Sequence, residues 1–226
     1  MFEFLTNLIF PPRCLFCRAV RSAPGVCPAC ESAVPKTPAD RRYALKGSLC
    51  AAPLFYEGHV RDLMHRFKFQ GKYALAGPMS EYISHAAGRL PAADLVTWVP
   101  VSRRRLRTRG YDQSELLARE TAERLRRPLV SSLRKIRDVP TQNKLTDAAA
   151  RRANVTGAFE VLPGTVEGRR LLLVDDVCTS GATLEECGRI LRAAGAESVV
   201  CAVFAKTRHA LPDAPPACND HRQRKA

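Results

Sequence analysis

The sequence predicts an α/β protein with a parallel sheet, preceded by a small module built on paired cysteines. Three observations predict it. From Leu95 onward, short apolar runs alternate with stretches whose apolar residues recur at helical spacing, the pattern of strands joined by crossover helices. Leu171, Leu172, Leu173 and Val174 form an unbroken apolar run, as a strand covered on both faces requires. Near the start, Cys14-x2-Cys17 and Cys27-x2-Cys30 stand nine residues apart, a spacing that suits four thiolates around one metal ion.

Residues 1–12 place Phe4, Leu5, Leu8 and Ile9 at helical spacing, which predicts a short amphipathic helix packed on the body. Glu3, Asn7 and two prolines interrupt this stretch, and it lacks a basic leader and a small-residue cleavage site. No export signal is read there, and a cytoplasmic, reducing location is expected. In such a compartment clustered thiols point to metal rather than to disulfides. Each Cys-x2-Cys pair folds as a tight turn that aims two thiolates at one point. Two such turns close a tetrahedral shell for Zn2+ from Cys14, Cys17, Cys27 and Cys30. Four thiolates leave no open position, so the expected Zn2+ is structural, and it supplies folding energy that so short a segment cannot draw from a core. Cys187 and Cys201 lie in apolar patterns and read as small buried hydrophobes; Cys50, Cys178 and Cys218 are scattered.

Residues 35–47 are polar and read as a linker, and residues 51–56 suit a short strand. Val60, Leu63, Met64 and Phe67 predict a helix that Gly71 ends, and a second helix over 78–87 buries Met79, Tyr82, Ile83 and Ala86. Arg66, Lys68 and Lys72, near the end of the first helix, read as solvated side chains, with contact to an anionic ligand as the alternative. Residues 95–99 form a strand stopped by Pro100. Asp112 and Glu115 have the spacing of a capping box for a helix reaching about residue 126, with Leu117, Ala118, Ala122 and Leu125 inward. Residues 129–136 suit the next strand, 138–146 a mobile polar loop, and a short helix runs through Arg152. Strands follow at 158–162, 171–174 and 198–205, with a helix over 183–194 that Gly195 caps. Residues 209–226 are Pro-rich and basic and read as a disordered tail.

A chain of 226 residues accommodates one full domain and a small appended module. Its 46% hydrophobic and 26% charged residues are ordinary for a soluble domain, but its net charge of +14 points to phosphorylated ligands or polyanions. No stretch has the length and apolarity of a membrane span, so membrane insertion is not expected. The five histidines are isolated and take no role.

The chemistry concentrates in residues 171–183. A buried strand delivers Asp175 and Asp176 to the carboxyl edge of the sheet, where ligands of open α/β folds bind. Cys178-Thr179-Ser180-Gly181-Ala182-Thr183 then opens a helix with backbone N–H groups, hydroxyls and a positive helix end, the parts of a phosphate cradle. Carboxylates repel phosphate, so the acid pair suits hydroxyl donors on the same ligand. A ribose bearing a 5′-phosphate offers both groups at the required separation.

This strand, acid pair and Thr-Ser-Gly-x-Thr loop resemble the phosphoribosyl-pyrophosphate signature of type I phosphoribosyltransferases, whose sheet is Rossmann-type. The resemblance implies that Asp175 and Asp176 bind the ribose hydroxyls, and that Thr179, Ser180, Gly181 and Thr183 hold the 5′-phosphate. Val99-Pro100-Val101, the run from Arg105 to Ser114, Thr141-Gln142, Leu145, Arg151, Asn154 and Gly157-Ala158-Phe159, together with the cysteine pairs, resemble the ComF family of competence-associated proteins. Asp112 departs from that family, which usually has Asn there, and its charge argues against a phosphate contact at this position. A pyrophosphate with bridging Mg2+ calls for an Arg-rich loop, for which Arg105 and Arg109 are the candidates; the segment 138–146 is expected to close over the site as a lid, and Arg151 to reach in. The implied division is 1–50 for the N-terminal helix and zinc module, 51–208 for the phosphoribosyltransferase-like domain and 209–226 for the tail. The implied function is Mg2+-dependent binding of phosphoribosyl pyrophosphate, in competence and DNA uptake or in nucleotide metabolism. If the chain is an enzyme, Asp175 and Asp176 steady the charge at the anomeric carbon during phosphoribosyl transfer. The alternative is a non-catalytic or ligand-sensing factor for single-stranded DNA, working with DNA-uptake proteins. No base-recognition motif stands out in 51–89, where the second substrate would be chosen.

Overall fold

The computed structural model describes residues 11–39, 41–138, 153–209 and 211–214. The expected N-terminal helix, the lid beyond Asp138, the short helix up to Arg152 and most of the tail lie outside these residues. The first described elements belong to the cysteine module, whose short helix α1 (Pro28–Ala33) is capped by Cys27. Strands β1 (Tyr43–Leu45), β2 (Ser48–Ala51) and β3 (Leu54–Phe55) follow, then helices α2 (Gly58–Phe69) and α3 (Ala76–Ala87). Strand β4 (Leu95–Trp98) leads into α4 (Arg103–Arg109) and α5 (Gln113–Leu125). Strands β5 (Leu133–Lys135) and β6 (Phe159–Val161) precede β7 (Arg170–Cys178), α6 (Ala182–Ala193) and β8 (Ser198–Lys206).

The main sheet runs β1-β2-β8-β7-β4, with β3 also on β8. All its pairings are parallel except β1 with β2. The pleat divides β7 between two cores. Leu172 and Val174 face α2, α3 and α5, whereas Leu171 and Leu173 face α6 and the β5–β6 pair. Such two-sided cover explains why this strand is an unbroken apolar run. Cys50, Cys187 and Cys201 are fully buried in the second core.

Four features add to these expectations. The expected α/β fold with a parallel sheet is present, and β1 adds to it antiparallel at one rim while β5–β6 forms its own two-stranded antiparallel sheet. The linker expected at 35–47 contains β1, and its Thr37 is buried with its hydroxyl donating to the Ala52 carbonyl, since the polar residues here alternate with inward-facing ones. The division expected after residue 50 falls inside the sheet, where Cys50 pairs with Cys201. The tail expected from 209 is ordered over 211–214. There Ala44 N–H donates to the Pro212 carbonyl, Ala214 N–H to the Arg42 carbonyl, and Leu211 is buried. Three consecutive polar or small residues hid this pairing, which rests on backbone groups and one leucine.

At the opposite rim of the sheet, Val96 N–H donates to the Pro128 carbonyl and accepts, through its own carbonyl, the N–H of Val130. The strand expected over 129–136 is thus split, its first part lying beside β4 and its second forming β5. Among the described residues no helix is long and apolar enough to cross a membrane.

Candidate functional site

Asp175 and Asp176 stand near the carboxyl end of β7, Asp176 two residues before its last, and the pleat sends the two carboxylates toward opposite faces. Both are met by the start of α5. The Ser114 hydroxyl donates to Asp175 Oδ1 at 2.9 Å, and the Gln113 side-chain amide donates to Asp176 Oδ2 at 2.9 Å. The Lys68 ammonium, arriving from α2, sits 2.8 Å from Asp176 Oδ1. The Asp176 N–H donates to Asp175 Oδ1 at 2.8 Å. Among the described residues nothing donates to Asp175 Oδ2. Burial first, and then the charge of Asp176, push the Asp175 carboxyl up to about 7.

The start of α5 is fixed in turn by Asp112. Its Oδ1 accepts the N–H groups of Ser114 and Glu115, and its Oδ2 accepts that of Val101 at 2.9 Å. The residue expected as N-cap is the N-cap, and its charge is spent on backbone amides rather than on a ligand. Burial nonetheless raises its carboxyl above the usual range.

Arg109 closes the cluster. Its guanidinium donates to Gln113 Oε1 at 2.7 Å, lies 4.9 Å over the Phe69 ring, and is held down by burial against the opposing pull of Asp176. Arg105, one helical turn earlier on α4, is half-buried. Lys135 of β5 senses both Arg105 and Asp175, and burial lowers its ammonium. A cleft of about 420 Å3 between α4 and β5 is lined by Ser102, Arg103, Arg107, Arg134 and Lys135, with Arg134 paired to Glu160.

Beyond the acid pair, Thr179 is exposed, Ser180 and Thr183 are half-buried, and Gly181 is buried at φ +79°. That backbone conformation favours glycine, and the space beside Gly181 is filled by Leu45 and Leu211. The Ser180 hydroxyl reaches only to 3.5 Å from the Ala182 N–H, at the outer limit of a hydrogen bond. Thus the structure brings Asp175, Asp176, Arg105 and Arg109 together at the sheet edge, with Thr179, Ser180, Gly181 and Thr183 on the bend that follows. Arg151 lies outside the described residues.

The cysteine module is separate from this cluster. The Sγ atoms of Cys14, Cys17, Cys27 and Cys30 all lie within 4.8 Å of one another, and Cys17 and Cys27 are 3.6 Å apart. A tetrahedral tetrathiolate with metal–sulfur bonds of about 2.3 Å has edges of about 3.8 Å, so the four residues could hold a metal ion. The Cys14 thiol is drawn down to about 6: burial, which raises it, is outweighed by hydrogen bonds led by the Cys27 N–H. Burial and the neighbouring thiols push Cys30 up to about 12. A second cavity, about 720 Å3, lies between this module and α3, with Leu15, Val26, Leu54 and Tyr82 in its walls and no part of the acid pair.

Lys68, Gln113, Ser114 and Lys135 were not singled out as site residues by the sequence. For Lys68 the solvated reading is corrected by its pairing with Asp176, and for Arg66 by its bonds to the Leu15 and Phe16 carbonyls. A lysine and an arginine two positions apart at a helix end carried the only signal.

A family pattern described as the phosphoribosyl transferase domain matches residues 112–217, from the α5 cap onward. The DNA utilization protein YhgH of Salmonella typhi is 30% identical over 199 residues, which cover 82% of this chain and 86% of that protein. Competence protein F of Haemophilus influenzae is 31% identical over 146 residues, 61% of this chain and 63% of that protein. Among solved structures, the allosteric regulatory enzyme of purine biosynthesis is 28% identical with a TM-score of 0.40, over 57% of this chain and 26% of that one. A phosphoribosyltransferase-type α/β domain joined to an N-terminal four-cysteine cluster, with identity spread over most of the chain, settles the relationship: this protein belongs to the ComF family.

Proposed function

We propose that the chain binds phosphoribosyl pyrophosphate with Mg2+ at the carboxyl edge of β7 and works in the handling of incoming DNA or in nucleotide metabolism. The observation that carries this reading is the juxtaposition of an acid pair, one carboxylate oxygen of which takes no donor from the described residues, with the Gly181 bend that starts α6. Asp175 Oδ2 accepts a ribose hydroxyl, and Asp176, held by Lys68 and Gln113, flanks the same sugar. Thr179, Ser180, Gly181 and Thr183 receive the 5′-phosphate on the positive end of α6. Arg105 and Arg109, with Arg103, Arg107, Arg134 and Lys135 of the neighbouring cleft, face the pyrophosphate. Arg151, outside the described residues, is assigned to the same pyrophosphate. Mg2+, bound with this ligand, neutralises part of its charge. In a transfer reaction the acid pair stabilises the positive charge that develops as pyrophosphate leaves.

The cysteine module holds structural Zn2+, the ion best matched to a closed tetrathiolate, and the protein is cytoplasmic. The proposed division is an N-terminal module over 1–50, a phosphoribosyltransferase-like domain over 51–208 and a tail over 209–226, with β1 and β2 of the first part joining the sheet of the second.

A second reading, single-stranded DNA binding without turnover, draws on two exposed rings, Phe69 at 61% beneath the Arg109 guanidinium and Tyr73 at 65%. Relatives named for competence and DNA utilization favour a role beside DNA-uptake proteins.

Calorimetric titration with phosphoribosyl pyrophosphate, with and without Mg2+, tests the first reading. Binding is expected in wild type and absent from the Asp175→Ala, Asp176→Ala double variant; equal binding by both refutes the assignment. Pyrophosphate release with a panel of nucleobases separates an enzyme from a binding factor, which instead shows salt-sensitive DNA binding and no release.

A further inference from the structure

The last turn of α2 touches two places at once. Arg66 Nη2 donates to the carbonyls of Leu15 at 2.7 Å and Phe16 at 3.0 Å, the two residues between Cys14 and Cys17. Phe67 is fully buried, and its carbonyl accepts the Tyr111 hydroxyl just ahead of the α5 cap. Lys68 pairs with Asp176, and Phe69 supports Arg109. Successive helical residues point about 100° apart. Four in a row therefore reach the cysteine module on one side and three parts of the sugar-phosphate cluster on the other.

The geometry at the module end is set by the cysteines. Leu15 and Phe16 are buried and lie inside the first Cys-x2-Cys turn, which the Arg18 N–H closes by donating to the Cys14 carbonyl. A metal ion drawing Cys14 and Cys17 together fixes both carbonyls that Arg66 grips. The guanidinium is half-buried and desolvated there, which leaves it few alternative partners.

We propose that the Arg66–Phe69 turn couples metal in the cysteine module to ligand at the acid pair, with Arg66 as the anchor and Lys68 as the positioning residue for Asp176. Free-energy coupling of this kind is reciprocal: the factor by which bound metal tightens ligand binding is the factor by which ligand slows metal loss, if loss follows affinity. The proposal rests on the sugar-phosphate reading only for the ligand used as a probe.

The test uses the full chain loaded with Zn2+. Release of zinc to a chromogenic chelator is timed with and without phosphoribosyl pyrophosphate and Mg2+. In wild type the ligand is expected to slow release about fivefold, near the lower end of measured couplings between sites. In Arg66→Met, with every cysteine and the acid pair intact, the slowing is expected to vanish. Lys68→Met is expected to abolish it as well and Lys68→Arg to restore it, a rescue that a merely space-filling lysine would not show. If Arg66→Met fails to fold, Arg66→Lys gives the same comparison. Ligand that binds without slowing release in wild type, or that slows it equally in Arg66→Met, overturns the coupling. If wild type binds no phosphoribosyl pyrophosphate at all, the function proposed above falls. The coupling is then decided by the amide resonance of Asp176: a shift on Arg66→Met upholds it, and an unmoved resonance overturns it.

Discussion

Asp175 carries a carboxyl that burial and the adjacent Asp176 raise to about 7, against an ordinary value near 3.8. A group with this shift binds its proton more tightly in the folded chain than in the unfolded one. Its contribution to stability is therefore lost as pH rises from about 4 through about 7, and it is unfavourable above that. Asp175→Asn is expected to be more stable than wild type at pH 8, by at most about 4 kcal/mol for a shift of this size, with the gap closing toward pH 4. Urea unfolding of both proteins at pH 4, 6 and 8 measures it. The same variant is expected to lose ligand binding, so the carboxylate is kept at a cost in stability. At this scale the chain was partly legible. Asp175, Asp176 and the Gly181 bend are contiguous, and each residue type carries its own chemistry. Lys68, Gln113 and Ser114 were not legible, because their partners are 108, 63 and 61 positions away and only tertiary packing selects one lysine or glutamine from many.

Among the elements, α5 carries the most for its length. Its N-cap ties the helix start to the end of β4 through Val101, and its first two residues then meet both aspartates. Asp112→Ala leaves three backbone N–H groups without their carboxylate. A loss of about 2 kcal/mol is expected, the upper end for a helix cap, because this one is buried. Ligand affinity is expected to fall with it, since Gln113 and Ser114 lose their placement. Denaturant midpoints and a calorimetric titration of the variant read the two effects. The cap, the helix faces of α2 and α3 and the interior strands followed from periodicity and capping chemistry. The β5–β6 pair did not, since alternation marks a strand but not its partner, and the parallel pattern around it suggested the wrong sheet. Nor did β1, a three-residue strand inside a polar stretch.

Across the whole molecule, the cysteine module is not an independent knob. Cys14, Leu15, Phe16, Cys30 and Val34 share one core with α2, α3, α5 and the sheet, and Phe16 meets Tyr82, which in turn meets Phe204 of β8, each pair edge-to-face at 6.0 Å. Removing the metal with a chelator is expected to lower the unfolding temperature of the entire chain in a single transition. A separate early transition, followed by an unshifted main one, would show that the module melts alone. Elemental analysis of the purified protein is expected to give one zinc per chain, and Cys27→Ser to lose it. The two-part plan was readable from cysteine spacing and strand–helix alternation. The shared core was not, because Leu15, Phe16 and Val34 fit no period.

Both rims of the main sheet are occupied by the chain itself: residues 211–214 lie along β1, and residues 128–130 lie along β4. An extended peptide seeking to add itself as a further strand would find neither rim bare, and two copies of the protein cannot join sheets edge to edge without first peeling one of these segments away. Trimming the C-terminus back to Arg208 would uncover the Ala44 N–H and the Arg42 carbonyl at the β1 rim, together with the apolar seat of Leu211, and is expected to favour edge-to-edge association.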